Sequence, residues 1–171
     1  MSGLALAHAL AFASTFMQGA APASQCAGLA GQEYEGARVD RVTPVNPDPV
    51  MTPKMQSPQR SYHPVPVSEP FCRIEGRIEG TIGFELWLPY SWNGRLLGAG
   101  VGGDAGIFNY VDMSARLSQG FAAITTDSGH KASDARWMSN PKARDDYTHR
   151  ASHLSAQAGK ALAARFYGRE V

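Results

Sequence analysis

The sequence predicts an α/β fold: a parallel sheet covered by helices and entered through two antiparallel strands. Three observations carry this. Strand-like runs over 71–78 and 84–88 are joined by a short turn, apolar runs over 95–99 and 121–126 alternate with helical patterns, and a glycine-rich turn over 98–106 separates a strand from a helix. The 171 residues allow one ordinary domain, and 43% hydrophobic with 18% charged residues is a globular composition. A formal net charge of +1 gives no electrostatic case for a nucleic-acid or acidic partner.

Nothing before Glu33 is charged except the N-terminal amine, and the run from Leu4 to Phe12 is mostly apolar. With Ala20-Ala21-Pro22-Ala23 behind it, this reads as a secretory leader over 1–23, although the usual early Lys or Arg is missing. A buried Ala/Leu helix is the alternative. A membrane span is not expected, because Ser14, Thr15, Gln18 and Gly19 interrupt the run. The expected location is therefore secreted or periplasmic. The two cysteines, Cys26 and Cys72, are expected to pair there; unrelated thiols are the alternative, and their spacing fits no zinc pattern.

Residues 24–70 form a proline-rich extended segment, with eight of the eleven prolines between Pro44 and Pro70. A strand over 38–43 is the only element expected there. The body, 71–171, opens with Arg73-Ile74-Glu75-Gly76 repeated as Arg77-Ile78-Glu79-Gly80, which places Ile74 and Ile78 on one face of an edge-type strand. Phe84 to Leu88 alternates and ends at Pro89, and 95–99 is a short third strand. Asn109 caps a helix running to about Gln119, which Gly120 stops. The fourth strand, 121–126, is apolar enough to be buried on both faces, and its edge is expected to be left unpaired. Asn140-Pro141 opens a helical turn. Tyr147, Ala151, Leu154, Ala158, Leu162 and Phe166 mark the buried face of a last helix ended by Gly168.

The glycine turn fits two chemistries. Gly98-x-Gly100-x-x-Gly103, with Asp127 at the end of the next strand, matches a dinucleotide-binding pattern. Against it, residues 104–108 separate the third glycine from the helix, and Asp104 would repel a pyrophosphate. The second chemistry is acyl transfer, in which the loop after the third strand gives a backbone N–H to an oxyanion. The two antiparallel strands ahead of the loop suit only this one. A plain tight turn is the bland reading.

Phe71-Cys72-Arg73-Ile74, Phe84-Glu85-Leu86-Trp87-Leu88-Pro89 and Trp92-Asn93-Gly94-Arg95 together resemble the tannase and feruloyl esterase family. So do Gly100-x-Gly102-Gly103-x-Ala105-Gly106, Thr125-Thr126-Asp127-Ser128-Gly129-His130, Asn140-Pro141, Ala161-Leu162 and Phe166-Tyr167-Gly168. The resemblance implies a secreted α/β-hydrolase cleaving esters of aromatic acids with Ser, Asp and His, and an N-terminal cysteine pair like Cys26 and Cys72. The family's serine sits in a Cys-Ser-x-Gly-Gly turn on the strand after the last helix read here. Its Asp and His lie beyond a lid that often binds calcium. None of these positions is in this sequence. Only the oxyanion N–H groups carry over, onto Gly102 and Gly103, and Asp104 departs from the family's usual apolar residue. By this resemblance the chain is an incomplete hydrolase sheet that stops before the nucleophile strand. Its expected ligand is a small aromatic ester, no cofactor is expected in this part, and no turnover is expected from it alone. A dinucleotide-binding module or a non-catalytic fragment is the alternative.

Other residues invite roles and are read more plainly. Ser128 beside His130 lacks a nucleophile elbow, so Asp127, Ser128 and His130 are expected to brace the oxyanion side. His149 and His153 lack a third metal ligand and read as surface or satisfied histidines. Trp87, Trp92 and Trp137 read as packing, with Trp137 also a candidate substrate platform.

Overall fold

The computed structural model describes residues 22–51 and 64–171. The leader expected over 1–23 lies almost wholly outside the described residues. Helix α1 (Pro22–Ala27) leads into strands β1 (Glu33–Tyr34), β2 (Ala37–Val45), β3 (Asp48–Met51) and β4 (Val65–Val67). Strands β5 (Phe71–Ile78), β6 (Ile82–Pro89) and β7 (Leu96–Ala99) follow, then helix α2 (Tyr110–Leu117) and strand β8 (Ala122–Thr126). A 3-10 turn (Trp137–Ser139) precedes α3 (Pro141–Asp145), which continues through a π turn (Asp146–Arg150) into α4 (Ala151–Tyr167).

Six strands form one mixed sheet in the order β1-β2-β5-β6-β8-β7, while β3 and β4 pair separately. The β5–β6 hairpin runs in unbroken antiparallel register from Phe71↔Pro89 to Ile78↔Ile82. β8 is antiparallel to β6 and parallel to β7. Every residue of β6 and of β8 is buried. Alternation divides the core into two layers: Phe84, Leu86, Leu88 and Ile124 pack with Leu162 and Phe166 of α4, whereas Trp87 and Ala123 pack with Met113 and Leu117 of α2.

Two expectations about edges are corrected. The edges of the sheet among the described residues are β1 and β7, not the fourth strand: β8 is inserted between β6 and β7, with Ile124 opposite Leu86 on one side and Gly98 on the other. The physical reason is burial. A strand apolar on both faces is stable where neighbours flank it, and the short β7, with Gly98 exposed, is the cheaper edge. β5 is likewise interior rather than an edge, because β2 covers its far side from Ala37↔Ile78 to Val45↔Phe71. Its exposed-face charges are paired across strands: Arg77 donates to Asp40 at 2.8 Å, and Arg41 pairs with Glu75.

The proline-rich segment is more structured than an extended crossing. It supplies α1, β2, β3 and β4, and Pro44 sits in the ladder opposite Cys72. The strand expected over 38–43 extends to Ala37–Val45. The disulfide expected between Cys26 and Cys72 is formed, with the Cα atoms 5.6 Å apart, and it fastens α1 to β5.

One buried carboxylate ties the layers together. Glu85 is 1% exposed and accepts from Arg73 Nη2 at 2.6 Å, Tyr110 Oη at 2.5 Å and Trp87 Nε1 at 3.1 Å. Burial is the largest influence on the Arg73 guanidinium and pulls its pKa down, but the hydrogen bonds to Glu85 and the attraction of Glu85, Tyr110 and Glu75 together outweigh it and raise it above the ordinary value. Through Tyr110 the same network anchors the first residue of α2, just after the glycine turn.

Candidate active site

The glycine turn follows β7, which ends at the buried Ala99. Gly102, Gly103 and Asp104 are exposed, while Ala105 and Gly106 turn inward. Gly103 and Gly106 have φ of +67° and +76°, a left-handed conformation that favours glycine. At Gly106 a Cβ would also lie 2.3 Å from the Ala132 nitrogen, which donates to the Gly106 carbonyl at 3.1 Å. Gly102 is different: its φ is not positive and a Cβ would meet nothing within 4 Å. Nothing inside the fold demands glycine there.

The loop's carbonyls are taken one after another by the protein. Gly100 O accepts from Asn109 Nδ2 at 2.6 Å, Gly102 O from the Ala105 N–H at 3.4 Å, and Gly103 O from the Tyr147 hydroxyl at 2.7 Å. Asp104 O lies 2.6 Å from His130 Nε2. Because a trans peptide points the N–H of one residue opposite the C=O of the residue before it, the hold on the Gly102 carbonyl sets the Gly103 N–H. Among the described residues nothing accepts from the Gly102 or Gly103 N–H, and these groups lie on the exposed side.

Each clamping side chain is delivered by local structure. Asn109 caps α2, its Oδ1 accepting from the Asp112 N–H at 3.1 Å, which leaves Nδ2 for Gly100. Tyr147 comes from the π turn, which interrupts what would otherwise be one helix from α3 to α4. In that turn Asp146 is buried and holds Lys142 at 3.0 Å and Arg150. His130 lies in the loop after β8, 7% exposed, stacked on Trp137 with centroids 3.8 Å apart. Trp137 in turn packs on Tyr147 at 4.8 Å. A carbonyl only accepts, so His130 carries its proton on Nε2; its Nδ1 is buried with no partner among the described residues.

The bracing role expected for the 127–130 loop is visible, divided between two targets. His130 braces the glycine turn. Asp127 braces β6 instead, accepting from the Gly83 N–H at 2.9 Å and the Gly129 N–H at 3.0 Å and pairing with Lys131. Burial pushes its carboxyl above the usual range, against the pull of Lys131 and the two amides. This corrects the dinucleotide reading: Asp127 is 0% exposed and internally bonded, so it is not available to ribose hydroxyls, and the turn enters α2 only at Tyr110. His130 faces Asp104 rather than Ser128. Trp137 is 8% exposed and serves as packing between His130 and Tyr147, not as an open platform. His149 and His153 lie exposed.

Sequence reasoning missed the clamp. Asn109 was legible as a cap but not as a loop ligand, and Tyr147 read as a core-stripe residue. The one signal available was the hydroxyl: a Tyr heading a helix's apolar stripe has to place its O–H on an acceptor.

Beside the turn, a groove of about 240 Å³ runs along the open edge of β7, floored by Leu96, Gly98 and Ile124 and walled by Ser152, Ser155 and Lys160 of α4. The buried Ser155 hydroxyl has no partner among the described residues. No three His, Cys, Asp or Glu side chains among the described residues converge as a metal site. No described helix is long and apolar enough to cross a membrane.

Comparison with known proteins places this geometry. A model of the family described as tannase and feruloyl esterase matches residues 67–171. The probable feruloyl esterase B-2 of Aspergillus flavus is 35% identical over 107 residues, 60% of this chain and 20% of that protein. The probable feruloyl esterase B-1 of Aspergillus fumigatus is 39% identical over 102 residues, 57% and 19% respectively. The chain thus spans about a fifth of the length of these relatives. The crystal structure of feruloyl esterase B from Aspergillus oryzae superposes with a TM-score of 0.77 at 28% identity, over 86% of this chain and 31% of that one. The tannin acyl hydrolase of Aspergillus niger shares the fold alone, with a TM-score of 0.58 at 19% identity, over 86% and 29%. The family is one of carboxylic-ester hydrolases, and this chain belongs to it.

Proposed function

We propose that residues 1–171 form the N-terminal part of a secreted serine esterase of the α/β-hydrolase type, acting on esters of aromatic acids such as ferulate or gallate. The observation that carries this reading is the glycine turn, with its carbonyls tied inward and the Gly102 and Gly103 N–H groups left outward. When an alkoxide attacks an ester, charge develops on the carbonyl oxygen, and preorganised N–H donors stabilise it without reorganising. Removing one such donor costs about 10²–10³ in kcat. The nucleophile strand pairs with the open edge of β7, where Gly98 and the small residues of α4 leave room for a backbone. That strand, the acid, the base and any calcium-binding lid come from polypeptide other than residues 1–171, so this chain alone is inactive. The Cys26–Cys72 disulfide and the absence of a described membrane-crossing helix agree with secretion.

Two assays test the proposal. The purified chain should release no acid from methyl ferulate or methyl gallate, and should do so once a polypeptide bearing a Cys-Ser-x-Gly-Gly strand and the rest of a family catalytic domain is supplied. Product release by the chain alone with a covalent acyl-serine would overturn the fragment reading. Failure of every aromatic ester alongside turnover of aliphatic ones would overturn the substrate class.

A further inference from the structure

We infer that Tyr147 and His130 are positioning residues for the oxyanion donors, an inference that rests on the reading of the glycine turn just given. Three consecutive carbonyls, those of Gly102, Gly103 and Asp104, are held inward, and two of the three holds come from these side chains. Tyr147 grips the oxygen of the Gly103–Asp104 peptide, on the C-terminal side of Gly103, and His130 grips that of the Asp104–Ala105 peptide, whose Ala105 N–H in turn holds the Gly102 carbonyl opposite the Gly103 N–H. Gly103 has φ of +67°, and glycine's freedom means that the unaided turn would sample other conformations with its N–H groups turned away. Side-chain donors arriving from outside the turn remove that freedom before any substrate binds.

The two donors are built as one unit. Trp137 stacks on His130 at 3.8 Å with an interplanar angle of 12°, and packs on Tyr147 at 4.8 Å, so neither ring swings without displacing the indole. The π turn also has a purpose here. It places Tyr147 at the loop while Asp146, one residue earlier, is locked beneath by Lys142 and Arg150. The half-buried Tyr147 spends its hydroxyl on an exposed glycine carbonyl that water could satisfy equally well. A bond so placed contributes little to folding, which leaves geometry as what it supplies.

The experiment uses the 171-residue chain labelled with ¹⁵N and titrated with phenylphosphonate, a tetrahedral dianion resembling the charge that develops in ester attack. Saturable shifts are expected at the Gly102 and Gly103 amides. Tyr147→Phe, which removes only the hydroxyl, should weaken them by about fivefold, the worth of one ordinary hydrogen bond, with the melting temperature unchanged. His130→Phe should do the same, while His130→Gln, which keeps a donor, should restore binding to within about twofold of the unsubstituted chain. Should either His130 variant fail to fold, Tyr147→Phe decides the matter by itself. Equal phosphonate affinity in the unsubstituted chain and in Tyr147→Phe would overturn the positioning role alone. Absence of any shift at Gly102 and Gly103 in the unsubstituted chain would overturn the oxyanion reading and this inference with it.

Discussion

The Asp127 carboxylate accepts from the Gly83 N–H at 2.9 Å, and a Cβ on Gly83 would lie 2.5 Å from the same carboxylate. The acid after β8 and the glycine at the second position of β6 therefore need each other: one supplies the acceptor, the other the space. Gly83→Ala should destabilise the chain by about 2 kcal/mol through overpacking. Asp127→Ala in the same background should recover part of that loss, so the double variant is less destabilised than the sum of the singles. Urea unfolding of all four proteins measures the coupling, and strict additivity would refute it.

The acid limb of stability should depend on Glu79. Hydrogen bonding from Arg150, then from Lys142, holds its carboxyl below the ordinary value of 4.5. A lowered folded-state pKa contributes stability above the unfolded value and loses it as pH falls through the folded one. Glu79→Gln should therefore flatten the decline in unfolding midpoint below about pH 4.5. Asp127, raised by burial, acts with the opposite sign: its contribution is full below its unfolded value and fades as pH rises through the folded one. Only Glu79→Gln should lessen the acid sensitivity. Chemical denaturation at pH 3, 5 and 7 separates the two.

Reduction should cost the chain a large share of its stability. The Cys26–Cys72 bond closes a loop of 46 residues, worth about 4 kcal/mol by loss of unfolded-state freedom. A Cys26→Ser, Cys72→Ser double variant should match the reduced protein in midpoint. Unfolding of the oxidised chain with an unchanged midpoint after reductant would contradict this.

Gly106 and Gly102 should differ sharply in their tolerance of alanine. Gly106→Ala meets both a positive φ and the Ala132 backbone, and should cost about 2–3 kcal/mol. Gly102→Ala meets neither and should change stability by less than about 0.5 kcal/mol. Thermal melts of the two variants provide the comparison.

The body of the fold was legible because its signals are local. Period-two alternation announced β6, the Asn109 and Asn140 caps announced α2 and α3, and Gly168, at φ +68°, ended α4 as expected. The family resemblance rested on the same stretch, 71–168. What escaped was non-local. Which edge stays open depends on where α2 returns the chain, and periodicity within β7 or β8 contains no record of that. The π turn escaped for a related reason: the stripe from Tyr147 to Phe166 is almost as regular with one extra residue as without. At the site, the glycines were visible as a turn, but the donors that set its amides lie in the turn's own cap at Asn109 and at His130 and Tyr147, joined to it only by folding.

The interior place of β8 also sets an order of events on the ribosome. β6 is buried along its whole length, yet one of its two neighbours is completed only at Thr126, 37 residues after β6 ends at Pro89. At synthesis rates of about 5–20 residues per second, the hairpin of β5 and β6 waits roughly 2–7 s with an apolar edge bare. Until Thr126 emerges, that nascent hairpin keeps an unpaired apolar edge open to mispairing, and slow codons between 90 and 121 would lengthen its exposure.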